Sequence, residues 1–151
     1  MGLAIALGLG QRPTTDGSRP STRLCLTDGL PALLPLLEQN TALNLAQLDP
    51  SVTVSSHVLS WGEHIDTNIP KTPDVIFAAD CAYLEETFPL LTKTLEEMMG
   101  ERTVLWFCYK KRRKRDRECI KTIGKVFRVS AVRGDWEKDS IFLFKVRRRD
   151  Q

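Results

Sequence analysis

Apolar residues recur along this chain with two different spacings, and each spacing predicts its own kind of element. Spacings of three and four residues predict helices, whereas alternation or short unbroken apolar runs predict strands. The predicted strands cover residues 23–27, 52–59, 74–79, 102–109, 127–132 and 141–146, and the predicted helices cover residues 1–9, 31–46, 85–99 and 116–127. Strands alternate with helices along most of the chain, apart from strands 52–59 and 74–79, which follow one another, and the final pair. That order predicts an α/β fold with a mostly parallel sheet and an antiparallel C-terminal hairpin.

Three of the predicted helices carry an apolar stripe that we expect to face a core. The stripes are Leu33, Leu34, Leu37 and Leu45 in the first, Leu90, Leu91, Leu95, Met98 and Met99 in the second, and Cys119, Ile120, Ile123 and Phe127 in the third.

The stretch DVIFAADCAY, residues 74–83, places five apolar residues directly before Asp80. Because nothing alternates in this run, it predicts a strand that is buried on both faces. Asp80 then lies where the strand leaves the sheet, which is where open α/β folds bind their ligands. Tyr83 follows three positions later.

Length and composition indicate an ordinary globular protein of one domain. The chain has 151 residues, of which 42% are hydrophobic and 27% charged, and its net charge is +3. The excess of cations comes mostly from two clusters, residues 110–117 and 145–149. A general binder of nucleic acid would usually be more basic overall, so we expect no nucleic-acid partner.

The cysteines and histidines indicate neither disulfides nor a metal site. Cys25, Cys81, Cys108 and Cys119 lie far apart without a C-x-x-C pair, which is typical of reduced, partly buried thiols in the cytosol or nucleus. The two histidines, at positions 57 and 64, form no metal-binding motif. The apolar start MGLAIALGLGQ has no basic leader and is too short to span a bilayer, so we expect no membrane segment.

Four stretches of the chain resemble, in order, the family-16 methyltransferases, whose members methylate lysines of non-histone proteins. These are LCLTDG with LPLLEQNTALN after it, VLSWGEHI, the D-x-x-Y motif within DVIFAADCAYLEETFPLLTKTL, and VLWFCYKKRRKRDRECIKTIGKVFRV with the closing IFLFKVRRR. The combination is similar to the fungal branch that acts on translation elongation factor 1-alpha. The resemblance covers residues 23–149 and implies a class I, Rossmann-like methyltransferase fold with S-adenosylmethionine as cofactor.

The resemblance implies three cofactor-binding residues, and each also has a purely structural interpretation. Asp28 ends a predicted strand and matches an acid that accepts hydrogen bonds from the cofactor's ribose; alternatively it only forms an Asp-Gly turn. Trp61 matches a position that packs on the adenine; alternatively it fills the core. Ala79 is small where the cofactor passes close to the strand end.

The resemblance also implies that Asp80 and Tyr83 position the target lysine. The lysine must lose its proton before it attacks a methyl group, because its ammonium form, with a pKa of about 10.4, has no lone pair. A carboxylate and a phenol can orient the amine, and a desolvated pocket favours its neutral form. Asp80 has an alternative role as the N-cap of the helix that follows.

The run KKRRKR, residues 110–115, is typical of a nuclear localisation signal or a nucleic-acid patch. The family has a similar basic run after the same strand, which favours a solvated face that docks an acidic protein surface. No aromatic residues are interleaved with it, as binding of single strands would require.

The chain departs from the family at its start. The Gly-rich cofactor loop after the first strand is absent, residues 1–10 resemble the helix that follows that loop, and residues 11–22 form a longer link than usual. Without the first strand the sheet lacks its middle member, which leaves two strands with unpaired edges or forces them together over a gap. We therefore expect a single methyltransferase domain over residues 1–151 that is N-terminally incomplete.

The sequence thus predicts a monomeric, cytoplasmic protein-lysine methyltransferase that uses S-adenosylmethionine and acts on translation elongation factor 1-alpha. Its main alternative is a catalytically inactive remnant that binds protein or RNA through the basic run. A methyltransferase of small molecules or nucleic acids is a third possibility, although the Asn-Pro-Pro-Tyr type of motif is absent at residues 80–83.

Overall fold

A computed structural model describes residues 2–9, 21–81, 84–113 and 115–149. The chain forms two compact units, one of residues Met1–Ser60 with His64–Ile69 and one of Trp61–Glu63 with Pro70–Gln151. Each is described below on its own. The single domain over residues 1–151 stays a prediction, and most of the predicted loop over 11–22 lies outside the described residues. Among the described helices, none has the length and apolar character needed to cross a bilayer.

The first unit is a parallel pair of strands with two helices. Its elements are α1 (Gly2–Leu9), β1 (Thr22–Asp28), a 3-10 turn (Pro31–Leu33), α2 (Leu34–Asn44), a second 3-10 turn (Leu45–Gln47) and β2 (Val52–Val58). β1 and β2 pair in register from Thr22 opposite Val52 to Asp28 opposite Val58. α1 packs on β1 and buries Ala6 completely.

The predicted helix over residues 31–46 is less regular and less buried than its leucine stripe indicates. It is α2 flanked by the two 3-10 turns, and none of its residues is buried. Leu33 is 37% exposed and Leu45 64% exposed, so the expectation that both face a core is wrong. A pair of strands offers a helix only a narrow surface, and a leucine at helical spacing is buried only when a partner surface covers it.

The second unit is a four-stranded sheet with two helices on one face. Its elements are β3 (Val75–Ala79), a 3-10 turn (Glu85–Thr87), α3 (Phe88–Met98), β4 (Val104–Lys110), α4 (Asp116–Val126), β5 (Arg128–Val132), a 3-10 turn (Asp135–Asp139) and β6 (Ile141–Arg147). The strand order is β3-β4-β6-β5. β3 and β4 are parallel, and β6 is antiparallel to both β4 and β5. This confirms the predicted α/β fold with its antiparallel C-terminal hairpin.

The core of the second unit lies between the sheet and helices α3 and α4. Its buried members are Ala78, Phe88, Leu91, Leu95, Met99, Leu105, Phe107, Tyr109, Cys119, Ile123, Phe127 and Val146. The predicted stripe of α4 is confirmed, because Cys119, Ile123 and Phe127 are buried and Ile120 packs against them. In the stripe of α3, Leu91, Leu95 and Met99 are buried, whereas Met98 is half-buried and Leu90 is 43% exposed.

Strand β3 is an edge strand and is not buried on both faces, so that prediction is wrong. Ala78 faces the core, whereas Val75 is 43% and Phe77 45% exposed on the opposite side of the strand. Among the described residues β3 pairs only with β4, and β1 pairs only with β2. The described strands thus form a two-stranded sheet, β1-β2, and a four-stranded sheet, β3-β4-β6-β5. An unbroken apolar run indicates what a strand can bury, but neighbouring strands decide what it does bury.

Two arginines of the C-terminal basic cluster, Arg148 and Arg149, cap the C-terminal ends of two helices. Arg148 donates hydrogen bonds to the carbonyls of Glu96, at 2.6 Å, and Met99, and Arg149 donates to that of Gly124 at 2.6 Å. These carbonyls belong to the last turns of α3 and α4, where orphan acceptors and the negative end of the helix dipole favour a cation. This part of the positive charge therefore has a structural use.

The turn Trp61–Glu63 is fastened to α3 through the backbone of Gly62. Its N–H donates to Thr94 Oγ1 at 2.8 Å, and its carbonyl accepts from Lys93 Nζ at 2.9 Å. Gly62 has φ of +79°, and an added Cβ would lie 2.7 Å from Cδ2 of Leu90. The turn therefore requires a glycine at this position.

We expect Phe107→Ala to lower the free energy of unfolding by about 3–5 kcal/mol, because the ring is fully buried and its removal leaves a cavity. Phe77→Ala is the matched control on the neighbouring strand, where the ring is 45% exposed, and we expect a loss within about 1 kcal/mol. Urea unfolding followed by circular dichroism measures both. Equal losses at the two positions would contradict this account of the core.

We expect Gly62→Ala and Gly124→Ala to change stability in opposite directions. The first places a side chain at positive φ against Leu90 and should cost about 1–2 kcal/mol. The second lies inside α4, where an added Cβ meets only ordinary van der Waals contact with Val129 at 3.8 Å, and should stabilise by about 0.5–1 kcal/mol. The same urea experiment measures both. A neutral Gly62→Ala would show that the turn is not fixed to α3 in this way.

Candidate functional site

Asp80 lies immediately after β3, at the carboxyl end of the parallel strand pair. Its N–H donates to the carbonyl of Cys108 at 2.8 Å and so extends the ladder one residue beyond β3. Its φ is +55°, in the left-handed region, where aspartate is tolerated better than most residues. Thr72 and Ser140 also have positive φ, but only Asp80 of these three lies at the carboxyl end of the parallel strand pair, and strained backbone is found disproportionately at functional sites.

The Asp80 carboxylate is held by a two-pronged ion pair with Arg112. Nη1 of Arg112 donates to Oδ1 and Nη2 donates to Oδ2, both at 2.7 Å. These bonds, with a further bond from the backbone N–H of Lys110, hold the pKa of the Asp80 carboxyl below its usual range. The carboxylate is therefore ionised and fixed in direction, although it is exposed to solvent. The alternative role as a helix N-cap is not realised, because the residue before α3 is Thr87.

Residues 110–117, called the basic segment below, run from the last residue of β4 into the first turn of α4. Arginines of this segment form ion pairs with acids that lie between β3 and α3. In addition to Arg112, Arg115 contributes an ion pair, with Glu85 at 2.9 Å. Arg117 lies over the ring of Phe142, 5.6 Å from its centre. Several of the cations that suggested a polyanion-binding patch are therefore engaged within the second unit.

The buried carboxylate of Asp116 organises the basic segment. Asp116 is 8% exposed, and its Oδ2 accepts the backbone N–H of Arg112 at 2.6 Å and that of Arg113 at 2.8 Å. It is also the first residue of α4, where the helix dipole favours a negative charge. Sequence reasoning missed both Asp116 and Arg112. Asp116 could have been found, because it is an acid at the start of a predicted helix. Arg112 could not, because its partner lies 32 residues away in the sequence.

Two thiols of the second unit, those of Cys108 and Cys119, have raised pKa values, which disfavours their thiolate forms. Burial raises the pKa of Cys108, and the charge of Asp80 raises it further. Burial raises the pKa of Cys119 to about 12, with a smaller contribution from Cys81. No cluster of three potential metal ligands occurs among the described residues. The chemistry that the site offers is therefore an oriented carboxylate.

Trp61 and Ala79 belong to the same unit as Asp80. Trp61 is half-buried and packs against the core, so the structural interpretation of this residue is realised while part of its indole stays accessible. Ala79 is half-buried and pairs with Cys108 in the ladder, directly before Asp80. Their roles toward a cofactor stay predictions. Tyr83 lies outside the described residues, and so does its predicted role.

Asp28 ends β1 in the first unit. Its Oδ1 accepts the N–H of Leu30 at 2.9 Å, which is the turn that its Asp-Gly sequence predicts. The carboxylate is half-buried, and its second oxygen can still accept a hydrogen bond from a ribose hydroxyl. The turn and the cofactor role are therefore compatible.

Taken one at a time, Asp28 of the first unit and Trp61 of the second unit carry groups that suit parts of the adenosine of S-adenosylmethionine. A carboxylate oxygen at Asp28 suits ribose, and the accessible part of the Trp61 indole suits adenine. For the methionine part, the described ranges contain no glycine-rich turn directly after a strand, so no partner is assigned there.

A depression in the second unit lies at the other end of the parallel strands. It is lined by residues 72–74 and 100–103, which precede β3 and β4. The hydroxyl of Thr103 joins the two lining segments: its Oγ1 accepts from the Gly100 N–H at 3.0 Å and donates to the Pro73 carbonyl at 2.7 Å. Ligands of open α/β folds bind at the carboxyl ends of strands, which favours the Asp80 end.

Comparison with solved structures supports the fold assignment. The N-methyltransferase NodS from Bradyrhizobium japonicum WM9, in complex with S-adenosyl-l-homocysteine, superposes with a TM-score of 0.53 and 14% sequence identity. The match covers 85% of this chain and 67% of that one. At this identity the likeness concerns the fold, which is that of a class I methyltransferase.

Curated relatives are closer in sequence. Protein-lysine N-methyltransferase EFM6 of Saccharomyces cerevisiae is 34% identical over 141 residues, covering 86% of this chain and 54% of the relative. EEF1A lysine methyltransferase 3 of Xenopus tropicalis is 33% identical over 87 residues, covering 58% of this chain and 37% of the relative. The chain spans about half the length of the first curated relatives that it matches.

A protein family described as lysine methyltransferase matches residues 1–126, most of the chain. The matched range contains Asp28, Trp61, Ala79, Asp80 and Tyr83, the positions assigned from the sequence. The chain belongs to the family-16 lysine methyltransferases.

Proposed function

We propose that the protein transfers a methyl group from S-adenosylmethionine to a lysine side chain of another protein, with translation elongation factor 1-alpha as the substrate. Membership of the lysine methyltransferase family supports the reaction. The name of the Xenopus relative, an EEF1A lysine methyltransferase, supports the substrate. NodS, with its bound S-adenosyl-l-homocysteine, supports the cofactor.

The observation that carries this proposal is the Asp80 carboxylate at the carboxyl end of β3. It is ionised, fixed by Arg112 and exposed to solvent, so an incoming side chain can reach it. A carboxylate fixed in this way can accept a hydrogen bond from a lysine amine and thereby set the direction of its lone pair. Tyr83, three residues further on, supplies a phenol that shares this task.

The chemistry requires the lysine to be neutral when it reacts. When bound, S-adenosylmethionine supplies an electrophilic methyl group on its sulfonium. Asp28 would accept hydrogen bonds from the ribose, Trp61 would pack on the adenine, and the small side chain of Ala79 would allow a close approach to the strand. Asp80 orients the amine, so the protein contributes mainly positioning, which can lower a barrier by several kcal/mol.

The alternative of an inactive remnant that binds RNA or protein through the basic segment has less support. Arg112 and Arg115 are both paired with carboxylates, and pairing reduces the charge available to a polyanion. We propose that the protein acts as a monomer in the cytoplasm, where translation factors are found.

Asp80→Asn and Asp80→Ala should lower kcat/KM for methylation of elongation factor 1-alpha by about 100-fold or more, because Asp80→Ala removes the acceptor of the amine and Asp80→Asn removes the two-pronged pair with Arg112 that orients it. Transfer of radiolabelled methyl from S-adenosylmethionine to the purified factor measures this. Asparagine tolerates the left-handed backbone of position 80, so Asp80→Asn should fold as the wild type does.

Glu85→Ala is the matched control, because it also removes an exposed carboxylate that is paired with the basic segment. We expect it to keep kcat/KM within about threefold of the wild type. Wild-type turnover in both folded Asp80 variants would refute the role given to Asp80.

A further inference from the structure

The pair between Arg112 and Asp80 is unusual among the ion pairs of the described residues. Each oxygen of the carboxylate meets a separate guanidinium nitrogen at 2.7 Å, whereas Arg115 and Glu85 are joined by a single contact of 2.9 Å. The side chains of Arg112 and Asp80 are 57% and 52% exposed, and ion pairs at such exposure contribute little to stability. We therefore expect the effect of the pair to lie in the charge and orientation of the Asp80 carboxylate and not in the stability of the fold.

The position of Arg112 is set by the backbone as well as by its partner. The buried Asp116 accepts the N–H groups of Arg112 and Arg113, and this fixes the turn from which the guanidinium reaches across to Asp80. On the other side, the Asp80 N–H is bonded to the Cys108 carbonyl. The backbone of both residues is thus held by hydrogen bonds, and this fixes the position of the two side chains relative to each other.

A carboxylate paired in this way differs chemically from a free one. A free carboxylate beside a lysine stabilises the ammonium form and raises the pKa of the amine, which opposes the loss of the proton that methylation needs. The guanidinium largely cancels this charge while leaving lone pairs on the oxygens for a hydrogen bond. Among the described residues, the other charged or titratable groups that act on this pair are Lys110, whose charge acts in the same direction as that of Arg112, the thiol of Cys108, and Asp116 beside Arg112.

We propose that Arg112 is a positioning residue for methyl transfer: it holds Asp80 as an oriented acceptor for the neutral amine and prevents Asp80 from capturing the lysine as an ammonium ion. This inference rests on the function proposed above for Asp80. The amine releases its proton to water and not to Asp80. Its lone pair then bonds to the methyl carbon while the carbon–sulfur bond of the sulfonium breaks and its electron pair stays on sulfur.

The test compares Arg112→Ala and Arg112→Lys with the control Arg115→Ala, which removes the same charge from the same segment but leaves Asp80 paired. In Arg112→Ala we expect kcat to fall about tenfold or more with KM unchanged or lower, because the unpaired carboxylate binds the ammonium better and releases the reactive amine less often. The acid limb of the pH profile of kcat should move to higher pH by roughly one unit or more.

Arg112→Lys keeps the positive charge but cannot bind both carboxylate oxygens as the guanidinium does. We therefore expect this variant to have the wild-type pH profile and a kcat between those of Arg112→Ala and the wild type. Arg115→Ala should match the wild type in kcat and in pH profile. A merely structural role of Arg112 would not move the acid limb, and urea unfolding of each variant shows whether stability has changed.

Binding without cofactor gives a second measurement that does not depend on turnover. In calorimetric titrations with unmodified elongation factor 1-alpha at pH 7, we expect Arg112→Ala to bind more tightly than both the wild type and Arg115→Ala. Equal affinity in Arg112→Ala and Arg115→Ala, or equal acid limbs of kcat, would overturn the proposal.

The two proposals fail in different ways. Wild-type turnover in Asp80→Asn would remove the function of Asp80 and with it the role of Arg112. Slow turnover in Asp80→Asn together with wild-type behaviour of Arg112→Ala would overturn the role of Arg112 alone.

Discussion

The candidate site depends on one buried carboxylate, that of Asp116. By accepting the N–H groups of Arg112 and Arg113, it turns the chain between β4 and α4 and starts the helix with a negative charge at its positive end. A buried carboxylate needs such partners, because an unpaired one would be costly. The same two bonds that satisfy Asp116 direct the Arg112 guanidinium to the end of β3. A structural requirement of α4 thereby fixes the electrostatics of Asp80.

Much of the second unit could be predicted from sequence because its elements carry strong and regular patterns. The stripe of α4 is buried as expected, and β5 and β6 pair as the predicted hairpin. The failures have a common cause. Phe77 in β3 and Leu45 after α2 are apolar residues whose burial depends on surfaces beside them, and local periodicity carries no information about those surfaces.

The site was only partly predictable, for a similar reason. Asp80 could be found because the end of a buried-type strand is a local feature with a known meaning in open α/β folds. Its partner could not be found, because the bond to Arg112 joins positions 32 residues apart and the run KKRRKR does not show which of its cations is engaged. Gly62 is an intermediate case. The sequence places Gly62 shortly after the predicted strand over residues 52–59, but the bonds from Lys93 and to Thr94 appear only in the fold.

We propose that this chain, although it spans about half the length of its first curated relatives, binds and uses S-adenosylmethionine as a methyltransferase. Calorimetric titration of the purified 151-residue chain with S-adenosylmethionine tests it most directly, with circular dichroism to establish that the protein is folded. The account predicts saturable binding of about one molecule per chain, seen as a single binding isotherm. A folded chain that binds no S-adenosylmethionine would contradict it.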